Sequence, residues 1–584
     1  MTGSLLRDPT ALRLLRRHAA ERPGQDAVTF VHDHDSADGE QTLGYAALDA
    51  EAARVASWLQ EHCAPGDRVL LLHPPGLPFV TAFLGCLYAG VVAVPSPMPG
   101  HFAHQQRRTT GMAADAGARI ALTDTGQLPE VQRWITEQGL GLRAEASDAP
   151  GFGDAAAWRE PPVDARDLVL LQYTSGSTGD PKGVMIGHGN LLHNADSLRR
   201  SLGLDEHTRF GGWIPLYHDM GLMGQLLPAL FLGSTCVLMS PMAFLKRPHQ
   251  WLSMIDRHGL GYSAAPNFAY ELCVRKVTAE RAAALDLSRW RFAANGSEPI
   301  QASTLRGFAE HFAVSGFRPE ALAPCYGMAE ATVFISGRAG RPPVVRRVDP
   351  GALEKDELRP AAPGGPVREL VGCADAPDFD VRVVDPATSR ELPDGTTGEI
   401  WVRGESVGAG YWGRAEASAE TFAARTARGE GPYLRTGDLG ARYDGELFVT
   451  GRIKDLLIIH GRNLHPHDLE HELRLRHPAL ATLAGAVFSV PAPHEEIVVL
   501  HEIRGRLTPE ELTETVRGMR RTVLREFGVH AAGVLLMRPG TIHRTSSGKV
   551  RRSRMRRLFL DGALAPVHQE LDPVLAAPAL RERP

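Results

Sequence analysis

The 584-residue sequence predicts an α/β fold in which a large N-terminal unit of several subdomains precedes a small α+β unit. Three observations carry this expectation. Short apolar runs of strand length alternate with longer helical patterns, the arrangement that builds a mainly parallel sheet covered by helices. The pattern changes after Gly451, where a compact mixture of strands and helices begins. The chain is also too long for one core; at roughly 150 residues per unit it predicts three to four.

Taken in order, Arg68–His73 reads as a strand, Leu77–Tyr88 as a helix and Val91–Val94 as a strand. The stretch Leu77–Val94 is apolar enough to suggest a membrane span. Gly85 and Gly90 interrupt it, however, and Pro78, Pro95, Pro97 and Pro99 punctuate its ends. A buried helix, a turn at Ala89-Gly90 and a strand is the reading, with no membrane span. Leu168–Tyr173 follows as a strand and Asn190–Leu202 as a helix. Residues around 342–372 are rich in Pro and Gly and weakly periodic, and read as an inserted loop segment. From Val381 the text is strand-like again, and Asp-Gly pairs at 394–395 and 444–445 predict two-residue hairpin turns. Beyond lie the strand Leu456–Ile459, the helix Asp468–Arg476, strands near 484–490 and 497–503, and a helix over about 509–527. The boundary is placed at Lys454-Asp455, giving units 1–454 and 455–584.

Composition narrows the function. The formal net charge of -4 leaves no electrostatic footprint for nucleic acid. The 6 Cys, at 63, 86, 236, 273, 325 and 373, form no C-x-x-C pair and read as reduced thiols of a cytoplasmic protein. The N-terminal residues lack a long apolar core and a cleavage site, which predicts no secretory signal.

The strongest chemical signal is Tyr173-Thr-Ser-Gly-Ser-Thr-Gly-Asp-Pro-Lys-Gly183, directly after an apolar strand. Gly176 and Gly179 let the backbone bend closely round a ligand. Thr174, Ser175, Ser177 and Thr178 add hydroxyls beside exposed N–H groups, a combination that cradles phosphate oxygens, and Lys182 adds a charge. A Ser/Thr/Gly-rich surface loop is the other reading of these residues alone. The pattern is not a Walker A loop, since Lys182 precedes Gly183 rather than a Ser or Thr.

This segment resembles the phosphate loop of the acyl-adenylate-forming superfamily. Further matches follow in the order expected of that superfamily: Trp213-Ile-Pro-Leu-Tyr-His-Asp-Met-Gly-Leu222, Asn295-Gly-Ser-Glu-Pro299, Tyr326-Gly-Met-Ala-Glu-Ala-Thr332, Thr436-Gly-Asp-Leu439, Gly451-Arg-Ile-Lys-Asp-Leu456 and Thr545-Ser-Ser-Gly-Lys-Val550. The resemblance implies that residues 1–454 form an AMP-binding adenylation domain and 455–584 a mobile lid, hinged at Lys454 and Asp455. It implies activation of a carboxylic acid by ATP with Mg²⁺. In that scheme Lys549 reaches the carboxylate and α-phosphate, and Glu330, assisted by Thr178, holds the metal. Asp438 and Arg452 meet the ribose. Tyr326, Gly327 and Met328 wall the adenine pocket together with Asn295, Gly296, Ser297 and Glu298.

His218 speaks to the acid's class. Adenylation domains for amino acids usually carry an Asp at the matching position, facing the substrate's α-ammonium, whereas a His is similar to enzymes for simple carboxylic acids. Trp213, Met220, Leu222, Met223, Leu226, Leu227, Phe244 and Phe268 line an acyl tunnel or are plain core.

Leu171-Gln-Tyr-Thr-Ser175, Tyr217-His-Asp-Met-Gly-Leu222, Ser263-Ala-Ala-Pro-Asn-Phe-Ala-Tyr-Glu-Leu272 and the 342–372 stretch resemble the fatty acyl-AMP ligases in particular. That resemblance implies a fatty or related acid as substrate and a holo acyl carrier protein as acceptor, in polyketide- or lipopeptide-type assembly. The extra segment would hinder use of coenzyme A; an acyl-CoA ligase is the alternative. Two departures stand out: Ser297 replaces the commoner Ala, and His465 stands where an aromatic is usual. His460, His465 and His467 lack a carboxylate or Cys framework and are read as ordinary histidines rather than a metal site. Arg551, Arg552, Arg554, Arg556 and Arg557 read equally as a docking patch for an acidic carrier or as a solvated basic helix.

Overall fold

The alternation of apolar runs and helices resolves into two helix-covered sheets in a computed structural model. It describes residues 4–33, 39–100, 103–174, 181–459, 462–491, 495–505, 507–544 and 549–576. The first sheet runs Arg143–Ala146, Ile120–Thr123, Arg68–Leu71, Val92–Pro95, Leu168–Thr174, Lys182–Gly187, parallel except for its last pair. The second runs Ser336–Gly337, Leu322–Tyr326, Phe292–Asn295, Tyr262–Ala265, Phe210–Gly212, Cys236–Met239, Asp26–Val31, Glu40–Gly44 and is parallel through its centre.

The apolar stretch that invited a membrane reading is the helix Leu77–Ala89, which buries every residue but Pro78. Gly90 ends it with φ of 71°, a left-handed cap that a side chain would oppose. Among the described residues no helix is long and apolar enough to cross a membrane.

An antiparallel four-stranded sheet follows, from Asp380–Val384 through Gly398–Arg403 and Leu434–Tyr443 to Glu446–Arg452. Asp444-Gly445 makes the expected two-residue turn, with Tyr443 paired to Glu446 and φ of 49° and 71° at the two central positions. The Asp394-Gly395 expectation is corrected. The two residues do centre a turn, with Thr396 N donating to Pro393 O at 3.1 Å and Gly395 at φ of 84°, but it lies within the long connection between Val384 and Gly398 rather than joining two strands directly. Asp385 makes a separate turn at the start of that connection, accepting from Thr388 Oγ1 at 2.6 Å and Ala387 N at 3.0 Å.

After the short turn Ile453–Asp455 come the hairpin Leu457–Ile459/Arg462–Leu464 and the helix Pro466–Arg476. A four-stranded sheet then orders Gly485–Pro491, Glu495–Glu502, Ala531–Met537 and His568–Leu571. Its alternating side chains feed two separate cores. Val487, Val499, Val534 and Leu536 pack with Leu469, Val516 and Val523; Ala486, Phe488, Val498 and Leu535 pack with Met555 and Leu575.

The 342–372 stretch is not a simple loop. Val345–Val348 pairs antiparallel with Arg368–Val371, and Pro350–Leu353 is a short helix capped by Asp349. Val348, Leu353, Leu358 and Leu370 bury against Ala441 and Phe448 of the four-stranded sheet. The other side of this ribbon faces the C-terminal residues. Glu354 takes a two-pronged ion pair from Arg462 at 2.6 and 2.7 Å, Asp356 accepts from Asn463 at 3.1 Å, and Arg368 pairs with Asp468.

Candidate active site

Ends of the central strands in both sheets open onto one cleft of about 960 Å³, closed on its far side by residues after Lys454. Side chains at such strand ends are the usual place for a ligand in an α/β sheet.

One corner is built around Asp438. Its backbone pairs across the hairpin with Arg452, and its carboxylate accepts from Arg452 Nε at 2.8 Å and from Tyr326 OH at 2.9 Å. Burial pushes the Tyr326 phenol far up, keeping it a donor. The Asp438 charge holds the Arg452 guanidinium above its usual range. The preceding turn is fixed by buried Glu399, which accepts from Gly437 N at 3.1 Å and from Arg435 Nε at 3.0 Å. Each carboxylate oxygen of Asp438 keeps a free lone pair, so the group can accept a vicinal diol.

Glu330 forms the second corner. It is buried at 9% exposure and accepts from Tyr411 OH at 2.9 Å. Burial raises its carboxyl, against the pull of Tyr411 and Arg452. Lys182 stacks its ammonium on the same Tyr411 ring at 4.8 Å. Lys182 itself pairs with Thr174 across the antiparallel hairpin. Ser175, Gly176, Ser177, Thr178 and Gly179, the rest of the expected phosphate loop, lie outside the described residues.

In the third corner His218 Nδ1 lies 2.6 Å from Asp219 Oδ1. Burial works to raise the Asp219 carboxyl, but His218 and Lys549 together hold it below its usual range. Lys549 enters the cleft from the C-terminal side. Burial and the charge of Arg452 lower its ammonium, while Asp219, Asp438 and Glu298 act to keep it charged.

Ser297, Glu298, Gly327 and Met328 line the wall between these corners. Asn295 and Gly296 sit behind it, with Asn295 wholly buried. Glu298 Oε1 accepts from Phe268 N at 2.6 Å. A side chain at Gly327 would put its Cβ 1.8 Å from Val333 O, so only glycine brings the backbone there. Ser297 holds φ of 69°, a conformation costing a non-glycine residue about 1–3 kcal/mol. Lys454 and Asp455 line the cleft where the chain crosses to its C-terminal part.

Of the apolar candidates, Phe268 reaches the cleft, beside Leu245, Leu272 and Ile300. Trp213 instead stacks on Phe244 at 4.0 Å, and Met220, Leu222, Met223, Leu226 and Leu227 join the same closed core. His465 packs behind Gly451, with burial lowering its imidazole to about 4. Its ring is 5.6 Å from that of His467, and His460 lies outside the described residues. Arg552 and Arg556 are engaged with Glu470 and with Ser489 O, at 2.6 and 2.8 Å.

Sequence reasoning missed Tyr411, Glu399 and Arg108, which also line the cleft. Tyr411 is separated from Glu330 by 81 residues and no local motif announces it.

The AMP-binding enzyme family matches residues 15–412. Over 568 residues the chain is 39% identical to the medium-chain-fatty-acid–[acyl-carrier-protein] ligase JamA of Moorena producens, covering 95% of this chain and 96% of that one. It is 38% identical over 574 residues to fadD25 of Mycobacterium tuberculosis, which carries a provisional fatty-acid–CoA ligase name, covering 94% of this chain and 97% of the relative. The crystal structure of a fatty acyl-adenylate ligase from L. pneumophila in complex with acyl adenylate and pyrophosphate superposes with a TM-score of 0.75 at 33% identity, covering 97% and 98% of the two chains.

Proposed function

Because the chain belongs to the AMP-binding enzyme family, in its fatty acyl-AMP ligase branch, we propose that it joins a fatty or related carboxylic acid to AMP and passes the acyl group to the phosphopantetheine thiol of an acyl carrier protein. The observation that carries this reading is Lys549, placed in the cleft within the fields of Asp219, Glu298 and Asp438. A carboxylate oxygen attacks the α-phosphorus of ATP, the bond to the bridging oxygen of the β-phosphate breaks, and pyrophosphate leaves. Both reactants are anions, so a buried ammonium at their meeting point stabilises the transition state more than either ground state. Asp438, with Arg452 and Tyr326, holds the ribose; Ser297, Gly327 and Met328 support the base. Leu245, Phe268, Leu272 and Ile300 receive the start of the acyl chain. In the second step the thiol sulfur attacks the acyl carbon and AMP departs.

Glu330 fits a Mg²⁺ site: it is buried, its carboxyl is raised by that burial, and Tyr411 occupies one oxygen only. Among the described residues no three His, Cys, Asp or Glu could hold a metal, so phosphate oxygens would complete the shell. Bound there, the ion neutralises charge on the phosphates. Thr178 is proposed to assist.

Lys549 belongs to the C-terminal part, and the thiol needs the place it occupies. We therefore take 1–454 and 455–584 as two units that reorient at Lys454 and Asp455 between half-reactions. The ribbon at 342–372 supports a carrier protein over coenzyme A as acceptor, because Glu354, Asp356 and Arg368 tie it to the C-terminal residues and restrain that rotation. The free thiols of all six cysteines support a cytoplasmic location, and we place the carrier in polyketide- or lipopeptide-type assembly.

Two measurements test this. Purified enzyme with Mg²⁺ and graded fatty acids should exchange pyrophosphate into ATP only when acid is present, and should load a holo carrier protein far faster than it esterifies free coenzyme A. Efficient acyl-CoA formation would reject the carrier assignment. Separately, deleting about residues 345–368, or combining Glu354→Ala with Asp356→Ala, should raise turnover with coenzyme A by about tenfold; surface pairs of this kind contribute up to roughly 1 kcal/mol each. A folded variant with no gain removes the ribbon as a gate.

A further inference from the structure

Arg108 lies on the helix Ala103–Ala116 and lines the cleft beside Tyr217. One turn along, Gly111 faces Pro181, where the glycine-rich loop re-enters the described chain; a Cβ at Gly111 would sit 3.5 Å from the Pro181 ring. Arg108 is therefore one helical turn from the contact with Pro181 and shares the cleft with Lys182. From the opposite side comes Arg551, two residues after Lys549, lining the same cleft. Burial lowers the Arg108 guanidinium, Tyr217 opposes that, and the charge of Arg551 lowers it further. Arg551, on the small part, and Arg108, on the large part, thus line one cleft, and the charge of Arg551 reaches Arg108.

Neither side chain has a hydrogen-bonding or ion-pair partner among the described residues. Their neighbours do: Arg552 is held by Glu470, Arg452 by Asp438 and Arg414 by Asp115 at 2.7 Å. Two unpaired guanidiniums lining one cleft from its two parts repel unless an anion comes between them. A guanidinium presents a planar fork suited to phosphate oxygens.

We propose that Arg108 and Arg551 form a two-sided clamp on the pyrophosphate end of ATP, one jaw on each unit. This rests on the adenylation reading above. With the β- and γ-phosphates in place, attraction replaces repulsion and the closed arrangement is favoured. Once the α-phosphate to β-bridging oxygen bond has broken and pyrophosphate has left, the repulsion returns and favours the opening that the thiol requires.

The test is the reverse reaction, in which acyl-adenylate and inorganic pyrophosphate give ATP and acid. Arg108→Met and Arg551→Met should each raise KM for pyrophosphate by about tenfold or more, the loss expected for one charge-assisted hydrogen bond. The double variant should lose less than the product of the two, because both jaws share one ligand. Affinity for an acyl-sulfamoyl adenosine, which carries no pyrophosphate, should stay within about twofold, since no contact to it is removed. Arg108→Lys, which keeps charge without the fork, should recover part of the loss. Unchanged pyrophosphate KM in both folded variants overturns the clamp, as does an equal loss of affinity for the sulfamoyl compound. Should either Met variant fail to fold, Arg108→Lys and Arg551→Lys carry the same measurement, and an unchanged KM in both overturns the clamp equally. Wild-type enzyme that makes no ATP from acyl-adenylate and pyrophosphate overturns the adenylation reading and the clamp with it.

Discussion

Lys549→Ala lowers acyl-adenylate formation by on the order of 10²–10³, the usual cost of removing one donor aimed at developing charge. Use of preformed acyl-adenylate should fall much less, because on the proposed scheme the thiol step would need this side chain out of the way. The size of the effect follows from the surroundings. The ammonium sits with three carboxylates, Asp219, Asp438 and Glu298, and one competing cation, Arg452. Their partial cancellation leaves a positive centre able to bring two anions together. The same surroundings set a pH dependence. Burial and Arg452 move the Lys549 pKa below that of a free lysine. The protonated form is the active one, so adenylation is lost as pH rises through that lowered value, earlier than an ordinary lysine would allow. Lys549→Arg keeps its charge and should remove this alkaline limb, whatever it does to the plateau rate. Single-turnover assays of each half-reaction decide the matter; an equal fall in both would show that Lys549 supports the fold rather than the first step.

Asp438→Ala should raise KM for ATP by on the order of 10²-fold, with a smaller effect on the acid. Two donors, Tyr326 and Arg452, converge on this carboxylate at 2.9 and 2.8 Å. Removing it strands both in a buried corner and deprives a bound diol of its acceptor, a change of about 2–5 kcal/mol for hydrogen-bonded buried charges. A general loss of stability would also weaken ATP binding, so a second nucleotide separates the causes. Wild-type enzyme should discriminate strongly against 2′-deoxy-ATP and the variant should not. Retained discrimination in a folded Asp438→Ala enzyme would place the ribose elsewhere.

The residues differ in how much of this could be read from sequence. Asp444-Gly445 was legible because everything that fixes the turn is local: two residues with positive φ between strands already in register. Asp394-Gly395 has the same spelling and also turns, but without strands directly on either side it closes no hairpin, and the chain has already turned once at Asp385. The ribbon at 342–372 was hidden for another reason. Its strands are four residues each and bury only on one side, against Ala441 and Phe448, so its own periodicity is faint. At the site, motif residues such as His218, Tyr326, Asp438 and Lys549 all reach the cleft. Their supports do not announce themselves: Tyr411 and Glu399 act from 81 and 38 residues away. Hydrophobicity could not separate Phe268, which faces the cleft, from Trp213 and Phe244, which stack on each other behind it.

The junction sets how the two proposed units would turn. Arg452 is bound to the large unit through Asp438. Three residues later Asp455, the far end of the proposed hinge, accepts from Arg552, whose guanidinium is gripped by Glu470. Only Ile453 and Lys454 lie between these two anchorages, so the proposed swing would be absorbed by a handful of torsions, like a door hung on a single short pin. Such a joint would fix the axis of motion closely and deliver the same orientation each time the door shut.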